Sequence, residues 1–242
     1  MRSVAIGIVC KTPIAGFSKT RLSPPLRPEE CAALSACFIR DLASTISALS
    51  READVTGYAV YTPGGTEAAL RRLLPPGFGL LLQGEGDLGA RLLQATVDLL
   101  GRGHAGVILV NSDSPTMPLA ILRDAAAAVR GADGVVLSPA YDGGYTLIGL
   151  SKPHERLFAA IPWSTSTVHA LTLARAAEIG LPVTSVPPWY DVDDAHSLAM
   201  LEAEFAGRPP ALVMPRLAGA EAPATRQFLA QRGALQRAGA AR

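Results

Sequence analysis

Cysteine is scarce in this chain. Cys10, Cys31 and Cys37 are the only three in 242 residues, and they fit neither a disulfide framework nor a CxxC metal spacing. Free thiols in a reducing, cytoplasmic setting are the expectation. Cys10 opens a charged loop, but no His stands beside it to make it a nucleophile. Long apolar runs are also missing. Nothing approaches the roughly 18–20 continuous apolar residues of a membrane span, so none is expected. The N-terminal apolar stretch is too short for a signal peptide and lacks a small-residue cleavage site, so it reads as a strand. A net charge of +1 gives no ground for nucleic-acid binding. His104, His154, His169 and His196 form no ligand spacing, and GxSxG, HExxH and P-loop patterns are all missing.

Lysine is the scarcest base. Lys and Arg total 22, but Lys occurs only at 11, 19 and 152. Two of the three share the segment Cys10-Lys-Thr-Pro-Ile-Ala-Gly-Phe-Ser-Lys-Thr-Arg21, which follows the apolar run Val4–Val9. An ammonium is a compact point charge suited to phosphate, whereas Arg prefers planar bidentate contacts. Lys11, Gly16, Lys19 and Arg21 are therefore candidates for a polyphosphate site, and a solvated loop is the alternative.

Apolar runs alternate with helical patterns along the chain. Strands are expected at Val4–Val9, Val55–Tyr61, Leu80–Gln83, Val107–Val110, Val135–Leu137, Thr146–Leu150 and Val183–Val186. Helices are expected from Pro28, with Leu34, Phe38, Leu42, Ile46 and Leu49 on one face, and at Glu67–Leu74, Leu88–Leu100, Leu119–Val129, Ser164–Ile179 and Asp194–Phe205. This βαβ rhythm predicts a three-layer α/β/α domain over 1–207 with a mostly parallel sheet. Residues 208–242 carry six Arg, one Glu and much Ala and Pro. They are set apart as a tail, either a loose appendage or a final helix over Ala224–Arg237 laid on the domain.

Open α/β sheets bind ligands outside the carboxyl ends of their strands. Asn111-Ser-Asp-Ser-Pro115 lies at such an end, so Asp113 is a candidate ligand for Mg²⁺ or Mn²⁺ held jointly with phosphates, with Ser112 beside it. Capping of the next helix is the alternative for Asp113. In Tyr190-Asp-Val-Asp-Asp194, alternation on an extended segment places Asp191 and Asp193 on one face, where like charges call for a cation. Asp194 is the natural cap of the helix that follows. Asp87, in Gly84-Glu-Gly-Asp-Leu-Gly-Ala-Arg91, is a candidate for a ribose or sugar hydroxyl. Asp142, in Tyr141-Asp-Gly-Gly-Tyr145, is a candidate acceptor of a hydroxyl proton, and Trp163-Ser-Thr165 offers an aromatic platform with hydroxyls.

In this order the segments Lys11–Leu22, Gly86–Leu92, Asn111–Pro115, Pro139–Tyr145, Trp163–Thr165 and Asp191–Asp193 resemble the DUF2064 family, glycosyltransferases of the GT-A type. That family is similar to phospholactate guanylyltransferases and molybdenum-cofactor nucleotidyltransferases. The resemblance covers roughly 4–205. It implies a nucleotide-diphospho-sugar transferase (GT-A, Rossmann-like) fold whose first loop holds the donor's base and phosphates. It also implies a divalent metal on Asp113 with Asp191 or Asp193. Two departures are Asn111-Ser112, where Gly-Ser or Gly-Asp is usual, and Asp194, where Thr commonly follows. The expected activity is a metal-dependent transfer from a nucleotide-activated donor to a small-molecule acceptor. Glycosyl transfer from a nucleoside-diphosphate sugar leads, followed by nucleotidyl transfer from an NTP. A non-catalytic nucleotide-binding module is the alternative of another class. The oligomeric state and the donor base stay open.

Overall fold

Val4, Ala5, Ile6 and Ile8, and likewise Val107–Val110, are buried on both sides of their strands, so each face of the sheet they form must be covered. The computed structural model describes residues 2–210 and 217–240. Its strands are β1 (Val4–Lys11), β2 (Val55–Thr62), β3 (Gly79–Leu82), β4 (Gly106–Asn111), β5 (Val135–Pro139), β6 (Tyr145–Leu150) and β7 (Val183–Ser185). They form one sheet in the order β3-β2-β1-β4-β6-β5-β7. The pairs β1–β2, β1–β4, β2–β3 and β5–β7 are parallel, and β6 runs antiparallel to both neighbours. The reason is the connection. Only residues 140–144 join β5 to β6, too few for the crossover that a parallel neighbour requires.

The helices are α1 (Pro28–Leu49), α2 (Glu67–Arg71), α3 (Leu88–Gly101), α4 (Leu119–Val129), α5 (Val168–Glu178), α6 (Ala195–Phe205) and α7 (Pro223–Ala240). On one face Ile6, Ile8, Ile108 and Val110 pack with Phe38 and Leu42 of α1 and Ile121 of α4. On the other, Ala5, Val107 and Leu109 pack with Leu92 and Leu99 of α3 and Ala176 of α5. This is the expected three-layer α/β arrangement. By length and composition α1 could cross a membrane. Its apolar stripe Leu34, Phe38, Leu42, Ile46 and Leu49 is instead fully buried against the sheet. Cys10, Cys31 and Cys37 are all free thiols.

Most boundaries agree with the sequence reading to within two residues, and three differ by more. α2 stops at Arg71 rather than Leu74, because Pro75-Pro76 disfavours helical backbone just before it. α5 starts at Val168 rather than Ser164. Ser164 takes a positive φ of 64°, and the Thr165 hydroxyl donates to the Pro162 carbonyl at 2.7 Å, which makes this stretch a turn. The last helix, α7, spans Pro223–Ala240 and is tied to the domain. The free N–H groups of Ala224 and Thr225 in its first turn donate to the buried carboxylate of Asp41 on α1, at 3.0 and 2.8 Å. A side chain of one helix thus caps another.

Asp41→Ala should strand those two amides and lower stability by about 1–3 kcal/mol, read from the urea midpoint. Asp41→Asn, which keeps one acceptor oxygen, should cost less.

Candidate functional site

β4 is central in the sheet, and Asp113 lies two residues beyond its carboxyl end. The Asn111 side chain shapes this turn by accepting from the Ser114 hydroxyl at 3.0 Å. The Asp191–Asp193 segment reaches the same point from the far edge. The Trp189 N–H donates to the Pro139 carbonyl at 3.1 Å, and the Val192 N–H donates to the Asp113 carbonyl at 2.8 Å. Val192 is buried while Asp191 and Asp193 are partly exposed. The two carboxylates therefore alternate with an inward apolar residue, as the sequence pattern implies. Asp194 turns away to cap α6, accepting from the Ser197 N–H at 2.8 Å.

Lys19 lies at the centre of this cluster. Its Nζ stands 2.8 Å from Asp113 Oδ1 and 2.9 Å from Asp193 Oδ1, and it donates to the Val192 carbonyl at 2.6 Å. An ammonium has three protons, and all three are taken. The side chain is 6% exposed, and its backbone is left-handed with φ 51°. In this structure Lys19 is thus turned inward to the aspartates, not outward to a ligand. The reason is electrostatic: Asp113 and then Asp193 attract the ammonium.

Burial alone would pull the Lys19 ammonium down, but Asp113 and then Asp193 outweigh it and hold it above its ordinary value. Burial pushes Asp193 up, but Lys19 wins and keeps it below its ordinary value. Burial dominates at Asp113, against the pull of Lys19, and leaves it raised. Asp191 has no cation of its own. Burial, followed by repulsion from Asp193, Asp142 and Asp113, raises it from 3.8 to about 7. Cys10 is pushed up to about 12 by burial and then by Asp113, which makes it a poor nucleophile.

Two cavities meet at these carboxylates and share Asp113 and Asp193 as a wall. One of about 390 Å³ is bordered by Lys11, Lys19, Arg21 and Arg91, with Ser112 and Phe17. The other, of about 300 Å³, is bordered by Asp142, Asp191, Tyr145, Trp163 and Thr165, and among the described residues no Lys, Arg or His lines it. Asp142 is positioned by accepting from the Gly144 N–H at 2.8 Å. Gly143 (φ 90°) lies where a Cβ would strike the Ser166 backbone, so the turn can lie directly on the 163–167 segment. A Cβ at Gly89 would meet the Trp163 indole at 2.8 Å, and this close approach seats the ring.

Of the expected residues, Lys11, Lys19, Arg21, Ser112, Asp113, Asp142, Asp191 and Asp193 border the cavities. Asp87 and Gly16 do not. Asp87 is taken up in capping α3, where its carboxylate accepts from the Ala90 N–H at 2.9 Å. Gly16 sits in open space with φ 78°. Sequence reasoning missed Arg91 and Gln83. Arg91 stands four residues after the Asp87 cap, one helical turn into α3, so the spacing held a signal for it. Gln83 directly follows β3 and donates to the Cys10 and Val60 carbonyls at 3.1 and 2.9 Å.

The oxygen donors of Asp113, Asp191 and Asp193 suit Mg²⁺ or Mn²⁺ in kind. Lys19 is paired with Asp113 and Asp193, whereas Asp191 is repelled by Asp193, Asp142 and Asp113, so negative charge is in excess. As they stand among the described residues, no three Asp, Glu, His or Cys side chains are gathered tightly enough to enclose an ion. The Lys19 ammonium lies between the two best-placed carboxylates.

A family model described as an uncharacterized protein conserved in bacteria (DUF2064) matches residues 45–165. Among solved structures, the chain is similar to a proposed nucleotide-diphospho-sugar transferase from Desulfovibrio desulfuricans G20. Identity is 25% and the TM-score 0.80 over 98% of each chain. It is also similar to CMP:2-keto-3-deoxy-manno-octonic acid synthetase complexed with CTP, at 11% identity and TM-score 0.55, over 85% of this chain and 99% of that one. A third is glucosyl-3-phosphoglycerate synthase from Mycobacterium tuberculosis with Mn²⁺, UDP and glucosyl-3-phosphoglycerate. Identity is 12% and the TM-score 0.50, over 84% of this chain and 75% of that one. The last two likenesses are of fold alone. No curated protein matches the chain.

The raised Asp191 carboxyl has a consequence for stability. Between about pH 4 and pH 7 the folded state holds a proton that the unfolded chain has released. This group's contribution to stability therefore falls as pH rises through that window. In metal-free buffer, Asp191→Asn should gain on the wild type as pH rises, its advantage at pH 8 exceeding that at pH 5 by about 1–3 kcal/mol. Urea titrations at both pH values check this, and an equal difference at both would contradict it.

Proposed function

The chain belongs to the DUF2064 family of bacterial proteins, and we propose that it is a metal-dependent transferase moving a sugar from a nucleoside-diphosphate donor to a small-molecule acceptor. One observation carries this reading. Two cavities of opposite charge share the wall formed by Asp113 and Asp193. The basic cavity suits a nucleotide's phosphates, for which Lys11, Arg21 and Arg91 supply positive charge. The acidic cavity offers carboxylates, hydroxyls and an indole but no cation. It therefore suits a neutral polyhydroxy group and opposes a phosphate or carboxylate.

In this reading Asp113, Asp191 and Asp193 hold Mg²⁺ or Mn²⁺, which when bound neutralises charge on the donor phosphates. Asp142, exposed at the acidic cavity and held by the Gly144 amide, accepts the proton of an acceptor hydroxyl. Trp163 and Thr165 orient the sugar. Lys19 balances Asp113 and Asp193 when the metal is absent, so ammonium and metal compete for the same two carboxylates. Nucleotidyl transfer from an NTP is the second reading, favoured by the four basic residues around the first cavity. Its phosphorylated or carboxylated acceptor would meet the acidic cavity without a counter-charge.

The test is calorimetric binding of NTPs and nucleoside-diphosphate sugars with Mn²⁺. Preference for one diphospho-sugar over the NTP of the same base supports glycosyl transfer, and the reverse preference supports nucleotidyl transfer. Asp113→Asn should weaken Mn²⁺-dependent donor binding by at least about tenfold. Binding that is untouched by this change and gives no turnover would point to a non-catalytic module. Lys19→Met should tighten Mn²⁺ alone, since it removes the competitor. Unchanged Mn²⁺ affinity would remove Lys19 from the metal's place.

A further inference from the structure

The Asp191–Asp193 segment lies outside the sheet's named strands. Its neighbouring residues meet the sheet through one isolated bridge, Ala140 to Trp189, and the backbone bond from Val192 to Asp113. Lys19 holds it from the front, and side chains behind the site that add to its placement converge on Glu204 of α6. Glu204 Oε2 accepts from the Thr116 hydroxyl at 3.0 Å and from the Tyr190 hydroxyl. Thr116 in turn accepts from the Trp189 indole N–H at 3.3 Å. Tyr141 stacks on Tyr190, with ring centroids 6.4 Å apart and planes 18° apart.

These residues have a common relation to the site. Thr116 lies three positions after Asp113, Tyr190 directly before Asp191, and Tyr141 directly before Asp142. None of Thr116, Tyr141, Tyr190 and Glu204 borders either cavity. The C-terminal segment closes the hub from outside. The Ala220 N–H donates to the Thr116 carbonyl at 2.9 Å. A Cβ on Gly219 would run into Glu204 Oε1 and come within 3.2 Å of Thr116 Cβ.

We propose that Glu204 is a positioning residue that holds the Asp113, Asp142 and Asp191–Asp193 segments in register, and that residues 219–220 of the C-terminal region belong to the same device. The metal the carboxylates hold rests on the reading above, but the positioning itself does not. A carboxylate oxygen accepting two hydroxyl bonds locks two loops that share no strand pairing. Pairing by backbone alone would leave the acidic segment free to pivot about Val192.

The test reads the amide exchange of Val192 and, separately, the affinity for Mn²⁺ alone. Glu204→Leu should speed Val192 exchange by at least about tenfold while β1 amides keep their protection, and should weaken Mn²⁺ binding by about tenfold. Glu204→Gln, whose amide oxygen can still accept from both hydroxyls, should stay within about twofold of wild type in both readouts. Gly219→Val pushes on Glu204 from outside without altering it, and should act in the same direction as Glu204→Leu. Unchanged Val192 exchange in both disruptive variants overturns the proposal. So does an equal rise in β1 exchange, which would mean that Glu204 merely stabilises the fold. If wild type binds no Mn²⁺ but Val192 exchange responds as expected, the metal reading fails and the positioning stands.

Discussion

The site depends on one buried ammonium. Lys19 holds Asp113 at the end of the central strand and Asp193 on a segment arriving from the far edge of the sheet, and it spends its third proton on the Val192 carbonyl between them. Breaking such a pair by removing one partner leaves a buried charge uncompensated, which costs several kcal/mol. The first loop, the β4 end and the acidic segment are thus coupled through one group, although no strand pairing links them. The residual charge decides the chemistry. Burial and the nearby carboxylates of Asp193, Asp142 and Asp113 push Asp191 up to about 7, while Lys19 is engaged with Asp113 and Asp193.

The sheet brings this about by placing ligand-facing ends side by side. β1, β2, β3 and β4 are parallel neighbours, so Lys11, Gln83 and Asn111 emerge along one edge, the first two beside the basic cavity and Asn111 beside the acidic one. The single antiparallel strand, β6, delivers the Asp142 turn to the same edge, because the hairpin starts at the carboxyl end of β5. Opposite charge on the two cavities therefore follows from topology. Basic residues come from the β1 loop and the start of α3, acidic ones from the hairpin and the 189–193 segment.

Much of this was legible beforehand. Phe38 and Leu42 recur at helical spacing and are buried, and Val107–Val110 read as a strand covered on both faces because it lacked any polar interruption. Asp113 could be placed because a carboxylate just past a central strand stands where ligands bind. The alternation of Asp191 and Asp193 around Val192 was also readable. Asp87 was misplaced, since a helix cap and a ligand contact call for the same residue type at the same position. Arg91 was missed although it sits in the Gly86–Leu92 segment, because local spacing does not show that the fold brings Lys11 and Arg21 to the same cavity. The C-terminal region left a loose appendage and a docked helix both open, because its composition is polar and small. Composition does not reveal that Asp41, 183 positions earlier, is waiting for its first two amides.

The sequence by itself determined the layers, the strand and helix order, and the residue types able to bind phosphate or metal. Those depend on local periodicity and on the position of a residue after a strand. Only the tertiary structure decided what each charge faces. It turned Lys19 inward, set Asp142 and Asp191 in a cavity apart from Arg21 and Arg91, left Asp191 without a cation and joined Glu204 to Thr116 and Tyr190. The physical reason is range: periodicity acts over a few residues, whereas the energy of a charge is set by whatever the whole fold brings within a few ångströms of it.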